Sequence, residues 1–370
     1  MRVFGISMIV LLVTGFVVTL LNPAFISDRS KPEQFRQVLS GDWADAYQTS
    51  FDLQSPLRDV GLEVWGSLRF GFFREGLPGV AVGSDNWLFT SEEFISLPSQ
   101  AREEERAAAA AAYIAGVRQQ LQDYGAQLLV VPVPAKARVY AEKLGRYRFP
   151  SQAEQRYTDF LAALERNGVP AVNLLPVLKG DKESIPASPP QLHSPGRESF
   201  LHTDTHWSPA GAEAAAALVA DRLRTLGALT DASGRSYQVE LGSELVYEGD
   251  LLNFIPLGPF RGRLQPEPDV LYEVVVEAGP PPTAGLFDDA AVPVVLVGTS
   301  YSAAETWGFQ AFLQYNLQHE VLNLAEEGEG PFAPMRSYLQ SDTLREAPPA
   351  AVLWEIPERY LPTTENPGGE

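Results

Sequence analysis

Apolar residues in this chain gather into short unbroken runs, separated by longer stretches of helical period. The runs are Gln127–Val133, 169–174, 292–297 and 351–356, with a shorter one at 320–323. An unbroken apolar run of strand length reads as a strand buried on both faces. Between these runs the pattern predicts helices over 99–124, 151–167, 208–226, 303–317 and 334–340. Glu103, Glu104 and Glu105 fall in the first turns of 99–124, where carboxylates meet the positive end of the helix dipole. Ser208 followed by Pro209 is a helix start, a hydroxyl N-cap before a proline whose missing N–H is not needed. Buried strands alternating with helices predict an α/β domain, with a parallel sheet covered by helices on both faces.

The alternation breaks in two places. Residues 228–293 are rich in Gly and Pro, with β-like stretches at 237–241 and 270–276. This is an excursion from the α/β rhythm, and long excursions of this kind are often functional. At the other end, residues 3–21 contain no charge and follow Arg2. About 20 apolar residues span a bilayer core, and residues 19–24 make a poor cleavage site. Residues 1–26 are therefore expected to be an uncleaved signal anchor, with Arg2 cytoplasmic and the rest outside. Cleavage would leave the rest in the same compartment. Residues 27–80 follow as a membrane-proximal segment, 81–360 as the main domain and 361–370 as a tail.

Composition narrows the chemistry. The 370 residues are 45% hydrophobic and 20% charged, ordinary for a globular chain with a sizeable core. Without cysteine there is no disulfide framework, thiolate nucleophile or Cys-ligated zinc. A formal net charge of -19 argues against nucleic-acid binding, which needs a basic footprint. A polyanionic substrate would need a local basic groove. Lys136, Arg138, Lys143, Arg146 and Arg148 could form one, or could be scattered solvated charges.

The reactive residues lie in two segments. Asp204 and His206 are two apart before the helix at Ser208, so in extended chain their side chains share a face. A carboxylate beside an imidazole orients it as a general base and stabilises its cation. The same histidine could instead cap or pack at the helix entry. His202, Asp204 and His206 also have a spacing that would suit three zinc ligands, but no second cluster offers partners. The four histidines are at 193, 202, 206 and 319. Ser300 follows the apolar run 292–297 in a small-residue turn, Gly298-Thr299-Ser300-Tyr301-Ser302. A serine where a central strand turns into a helix is where acyl-transfer enzymes expose a nucleophile. An ordinary cap by Ser300 or Ser302 is the alternative.

Taken together, these segments resemble the alginate O-acetyltransferase family of AlgJ/AlgX type. The resemblance rests on Asp204-Thr205-His206-Trp207, on Gly298 to Ser302, and on Gly83-Ser84-Asp85-Asn86-Trp87-Leu88-Phe89, with Asn86 where the family usually has glycine. It extends through residues 132–140, 321–338 and 353–359, and covers roughly 80–360. It is closer to the anchored AlgJ type, since no polymer-binding β-module is apparent. The resemblance implies an SGNH-hydrolase-like three-layer αβα fold in which Asp-x-His precedes serine, a permuted motif order. It implies Ser300 as nucleophile, His206 as base and Asp204 as its orienting acid. Gly298, Tyr301, Trp307, Gly328, Gly330, Lys136 and Tyr140 become candidates for oxyanion or substrate contacts. No cofactor or metal is implied. The acetyl donor would be delivered by a multipass membrane-bound O-acyltransferase, and the acceptor would be an exopolysaccharide at the periplasmic face of the inner membrane. Other polysaccharide secretion proteins are the remaining expected partners. An acetylesterase of the same fold and a non-catalytic scaffold are the competing readings.

Overall fold

In the computed structural model, four parallel strands form a sheet in the order Gln127–Val133, Ala351–Pro357, Val294–Val297, Val321–Asn323, and Ser300 follows close on the C-terminal end of Val294–Val297. The structure describes residues 56–181, 198–229, 235–280 and 292–364, with short pieces between 13 and 48. The anchor expected over 1–26 lies mostly outside the described residues, as do His193 and the last residues of the tail. Among the described residues no helix is long and apolar enough to cross a membrane.

Two compact units make up the chain: residues up to Leu77 with Asn253–Gln265, and Pro78–Leu252 with the remainder. In the first unit, helix α1 (Pro56–Leu68) runs into a π-helical turn, Arg69–Phe73. Among the described residues, the strands lie in the second unit. It opens with an antiparallel hairpin, β1 (Val80–Val82) and β2 (Leu88–Thr90). At its turn Asp85 and Asn86 both take left-handed φ values, 51° and 62°. Asn and Asp tolerate that conformation best after glycine, so Asn86 serves where the family prefers Gly.

The sheet strands are β3 (Gln127–Val133), β6 (Val294–Val297), β7 (Val321–Asn323) and β8 (Ala351–Pro357). Their side chains alternate between two cores. Leu129, Val131, Leu296 and Leu353 point to one, and Leu128, Val130, Val295 and Trp354 to the other. Helices α4 (Pro209–Thr225) and α6 (Phe309–Leu317) cover the first face. Helices α2 (Gln100–Asp123), α3 (Arg156–Arg166) and α7 (Phe332–Gln340) cover the second. This is the expected three-layer αβα sandwich. Ser208 caps its helix as expected, its Oγ accepting from Gly211 N, and Ser99 Oγ accepts from Arg102 N in the same way.

Three expectations need correction. Residues 169–174 form no strand. Ala171 makes one parallel bridge to Val130, and the preceding Pro170 has no N–H to extend the ladder. The helix expected over 151–167 begins only at Arg156, after a 3₁₀ turn at Ser151–Ala153. The helix expected over 303–317 is three pieces: a one-turn α5 (Ser300–Ala303), a 3₁₀ turn (Glu305–Trp307) and α6. Gly308 breaks it at φ 68°, and a Cβ there would meet Val274 at 2.7 Å. The excursion forms an antiparallel ribbon, β4 (Tyr237–Tyr247) with β5 (Asp269–Ala278), bulged between Leu241 and Glu244. The paired ends Tyr247 and Asp269 both bond the loop that carries Asp204.

Candidate active site

The loop between Phe200 and Trp207 is closed by a bridge between those two residues, with Leu201 N–H donating to His206 O. Asp204 and His206 lie within it. Four neighbouring side chains hold its backbone. The Asp269 carboxylate accepts from His202 N (2.7 Å), Thr203 N (2.9 Å) and Thr203 Oγ1 (2.6 Å). Asp250 Oδ1 accepts from Thr205 N at 2.8 Å, and Tyr301 Oη donates to Thr205 O at 2.8 Å. Beneath the loop the buried Lys136 Nζ donates to His202 O and Asp204 O, and also to Leu88 O. A loop so fully bonded presents its side chains in one geometry.

That geometry is a relay. Asp204 Oδ1 lies 2.6 Å from His206 Nδ1, and His206 Nε2 lies 2.7 Å from Ser300 Oγ. With Nδ1 protonated toward the carboxylate, Nε2 is the acceptor for the serine proton. Asp204 Oδ1 also accepts from His206 N, and its Oδ2 from Asp250 N (2.8 Å) and Tyr247 Oη (3.0 Å). Burial alone would raise the Asp204 carboxyl. The hydrogen bond and charge of His206, with the two backbone donors, outweigh it and hold Asp204 well below the usual carboxylate range. Burial and the adjacent Asp204 charge push Asp250 the other way. Trp307 stacks on the His206 ring at 5.1 Å and 20°, while its Nε1 donates to Ser300 O at 3.2 Å.

Ser300 opens α5 directly after β6, partly open to solvent. Its turn is clamped by Glu355, a fully buried carboxylate near the end of β8. Glu355 Oε2 accepts from Thr299 N (2.7 Å), Thr299 Oγ1 (3.0 Å) and Ser302 Oγ (3.1 Å). A Cβ on residue 298 would lie 2.5 Å from Glu355 Oε2, so the clamp requires glycine there. Thr299 N–H is consumed by the clamp and Tyr301 N–H by Thr299 Oγ1. Among the described residues the Ser300 N–H has no hydrogen-bond partner, which leaves it available to a developing oxyanion.

The structure therefore brings Ser300, His206 and Asp204 together, but gives the other candidates different work. Gly298 makes room for Glu355. Tyr301 is buried, with its ring against His206 at 4.8 Å, and Trp307 is buried against the imidazole, so both pack the relay and offer no open face to a sugar. Gly328 and Gly330 have φ 81° and 66° and shape the loop after β7. No hydrogen bond among the described residues links them to Ser300. Lys136 is a buried strut, and burial drives its ammonium below its ordinary value while raising its neighbour Glu93. Tyr140 Oη accepts from Ser199 N, and its ring lies 4.3 Å from Trp87. Of the basic run, Lys136 and Arg138 are buried, Arg138 pairing with buried Glu358 at 2.6 Å, and Lys143 pairs with Asp85 at 2.7 Å. The zinc spacing fails because His202 turns away, its ring 4.4 Å from Trp87. Asp204, His206 and Asp250 do cluster within 4.8 Å, yet their mutual and backbone hydrogen bonds already use the facing atoms.

Sequence reasoning missed Glu355, Asp250, Asp269 and Tyr247. Glu355 alone left a signal, a carboxylate inside an otherwise apolar strand, where an unpaired charge would be costly.

Comparison with known proteins shows what the chain is similar to. Residues 80–358 match the family model described as the SGNH hydrolase-like domain of the acetyltransferase AlgX. A probable alginate O-acetylase AlgJ of Pseudomonas putida is 40% identical over 328 residues, 88% of this chain and 81% of that protein. The AlgJ of Azotobacter vinelandii, described in the same words, is 38% identical over 88% of this chain and 80% of its own length. The solved O-acetyltransferase domain of Pseudomonas putida AlgJ superposes with a TM-score of 0.66 at 39% identity, covering 78% of this chain and 94% of that one. With its sheet, its site at the strand ends and these relatives, the chain belongs to the family of SGNH hydrolase-like acetyltransferase domains typified by AlgX and AlgJ.

Proposed function

We propose that the protein is a serine-dependent O-acetyltransferase that acetylates hydroxyls of an exopolysaccharide, alginate being the polymer named for its relatives. The observation that carries this reading is the unbroken relay of 2.6 and 2.7 Å from Asp204 through His206 to Ser300. In the first half-reaction Ser300 Oγ attacks the acetyl carbonyl carbon while His206 Nε2 takes its proton. The carbonyl oxygen becomes an oxyanion facing the Ser300 N–H. Its collapse expels the donor's leaving group, which receives the proton from the imidazolium, and leaves an acetyl ester on Ser300. In the second half a polymer hydroxyl attacks that ester and yields its proton to His206. Ser300 Oγ departs and is reprotonated, so the chain returns unchanged. Asp204 stays ionised throughout, consistent with its depressed carboxyl.

The apolar stretch 3–21 supports a location at the outer face of a membrane, the catalytic domain facing away from the cytoplasm. A donor made in the cytoplasm must then cross, and a multipass membrane acyltransferase is the partner that would pass the acetyl group over. Ser300→Ala tests the reading. It should abolish polymer acetylation in a strain lacking the wild-type gene while the protein still accumulates. Acetylation that persists with the alanine variant refutes it and favours a scaffold. With para-nitrophenyl acetate and purified protein, acetyl should appear on added polymer. Free acetate alone, with no transfer, would make the protein an esterase.

A further inference from the structure

Unit one carries an apolar surface that its own described contacts leave open. Along α1 and the π-helical turn, Leu62, Trp65, Leu68 and Phe72 recur every three or four residues, and Phe73 follows. This spacing lines one side of a helix. Trp65 is 57% exposed, Phe72 80% and Phe73 58%, with Leu62 and Leu68 also exposed. The other side is the one that packs. Phe70 is fully buried, Ser67 Oγ donates to Leu257 O at 2.9 Å, and a Cβ on Gly66 would lie 2.3 Å from Pro256 O. The helix thus presses its small residues onto the 253–265 segment and turns its aromatics outward. Phe260, on that segment, is exposed as well.

Charge distinguishes this unit from the rest of the chain. Residues 56–77 and 253–265 hold five arginines, Arg58, Arg69, Arg74, Arg261 and Arg263, against three carboxylates, Asp59, Glu63 and Glu75. The whole chain carries -19. Residues 56–77 are themselves neutral, three arginines against three carboxylates, and the excess comes from Arg261 and Arg263 on the 253–265 segment. A helix with Trp and Phe on one face beside that basic segment, in an otherwise acidic protein, has the composition of an element lying in a membrane interface. The uncharged stretch 3–21 precedes it in the chain, so a bilayer is the apolar phase nearest to it in sequence.

We propose that the Leu62–Phe73 face is a second membrane contact, with Trp65, Phe72 and Phe73 seated among the acyl chains of an anionic bilayer and the arginines at its phosphates. This rests on the bilayer attachment read from residues 3–21 and is independent of the acetyl-transfer chemistry. The test uses the full chain reconstituted into vesicles of phosphatidylcholine and phosphatidylglycerol, with acyl chains brominated near the headgroup. Bromine quenches tryptophan only at close contact, so attachment through residues 3–21 alone would not quench Trp65. Of the other tryptophans, Trp87, Trp207, Trp307 and Trp354 are buried in the core. Wild type should be quenched more strongly than Trp65→Phe. Placing Phe72→Trp in the Trp65→Phe background should restore the lost quenching. Replacing phosphatidylglycerol by phosphatidylcholine should reduce it. A chain that floats with the vesicles but shows equal quenching in wild type and Trp65→Phe overturns the proposal while leaving the anchor intact. It would point to a protein, or another part of this chain, as the cover. A chain that does not float overturns both.

Discussion

Glu355→Gln isolates the clamp beneath the nucleophile. Glu355 accepts three donors through Oε2, from Thr299 N, Thr299 Oγ1 and Ser302 Oγ, and all three lie within two residues of Ser300. Alanine is too blunt a probe. It strands three buried donors at about 1–3 kcal/mol each, a large part of a net stability of roughly 5–15 kcal/mol. Glutamine keeps the shape and one carbonyl acceptor. Hydrogen bonds to charged acceptors are worth about 1.5–3 kcal/mol and neutral ones about 0.5–1.5 kcal/mol, so two weakened bonds cost about 2 kcal/mol. For a domain of this size that lowers Tm by roughly 3–4 °C. The larger consequence is positional. Glutamine turns an amide N–H₂ toward one of the donors, and the turn shifts to escape it. A displacement near 1 Å at a reacting group costs on the order of a hundred-fold, so kcat should fall between about ten- and a hundred-fold. KM for a small ester should barely move, because the loss appears only as the tetrahedral intermediate forms. Stopped-flow release of para-nitrophenol from para-nitrophenyl acetate gives the acylation rate directly, alongside thermal unfolding of the same samples. A variant with lowered Tm but wild-type acylation would refute the idea that the carboxylate positions Ser300.

Three further outcomes follow from the same contacts. Trp307→Phe keeps a ring against His206 but removes the Nε1 donor to Ser300 O; acylation should slow by roughly five-fold, equivalent to about 1 kcal/mol, and an unchanged rate would leave that bond without a role. Lys136→Met removes the cation from the carbonyls of Leu88, His202 and Asp204 and leaves Glu93 buried without it. Losing a buried cation that donates to three carbonyls and offsets the Glu93 charge should cost about 3–5 kcal/mol in urea unfolding, and Glu93→Gln in the same chain should recover part of it. Asp204 gives a pH signature: its folded carboxyl is depressed below the ordinary 3.8, so the unfolded chain binds the proton more readily. The stability it contributes is then fully present above pH 3.8 and disappears as pH falls through the folded value. The urea midpoints of wild type and Asp204→Asn should therefore differ at neutral pH and converge in acid; a gap that widens on acidification would contradict the assignment.

Much of this architecture is written in local pattern. The cap at Ser208 and the apolar runs of β3, β6 and β8 are decided by residues a few positions apart, and the structure places them as expected. Pairs of short spacing were legible for the same reason. Asp204 and His206 are two residues apart, and Ser300 ends a strand, so each announces itself without knowledge of the rest. What failed was any inference about exposure. Lys136 and Arg138, open between a basic groove and scattered solvated charges, are buried struts, because side-chain burial depends on what packs above, not on the neighbouring sequence. Tyr301 and Trp307, candidates for substrate contact, pack around the imidazole on the same ground.

The sequence alone determined an α/β sandwich, the candidate serine, histidine and aspartate, and the family to which they belong. Only the tertiary structure decided how those three are held. The ribbon brings Asp269 and Tyr247 to the Asp204 loop, Asp250 comes from the stretch after it, and β8 delivers Glu355 under Ser300 from more than fifty residues away. Such contacts leave no periodic trace, since each partner is set by strand order and loop closure, and neither is encoded in the spacing of residues along the chain.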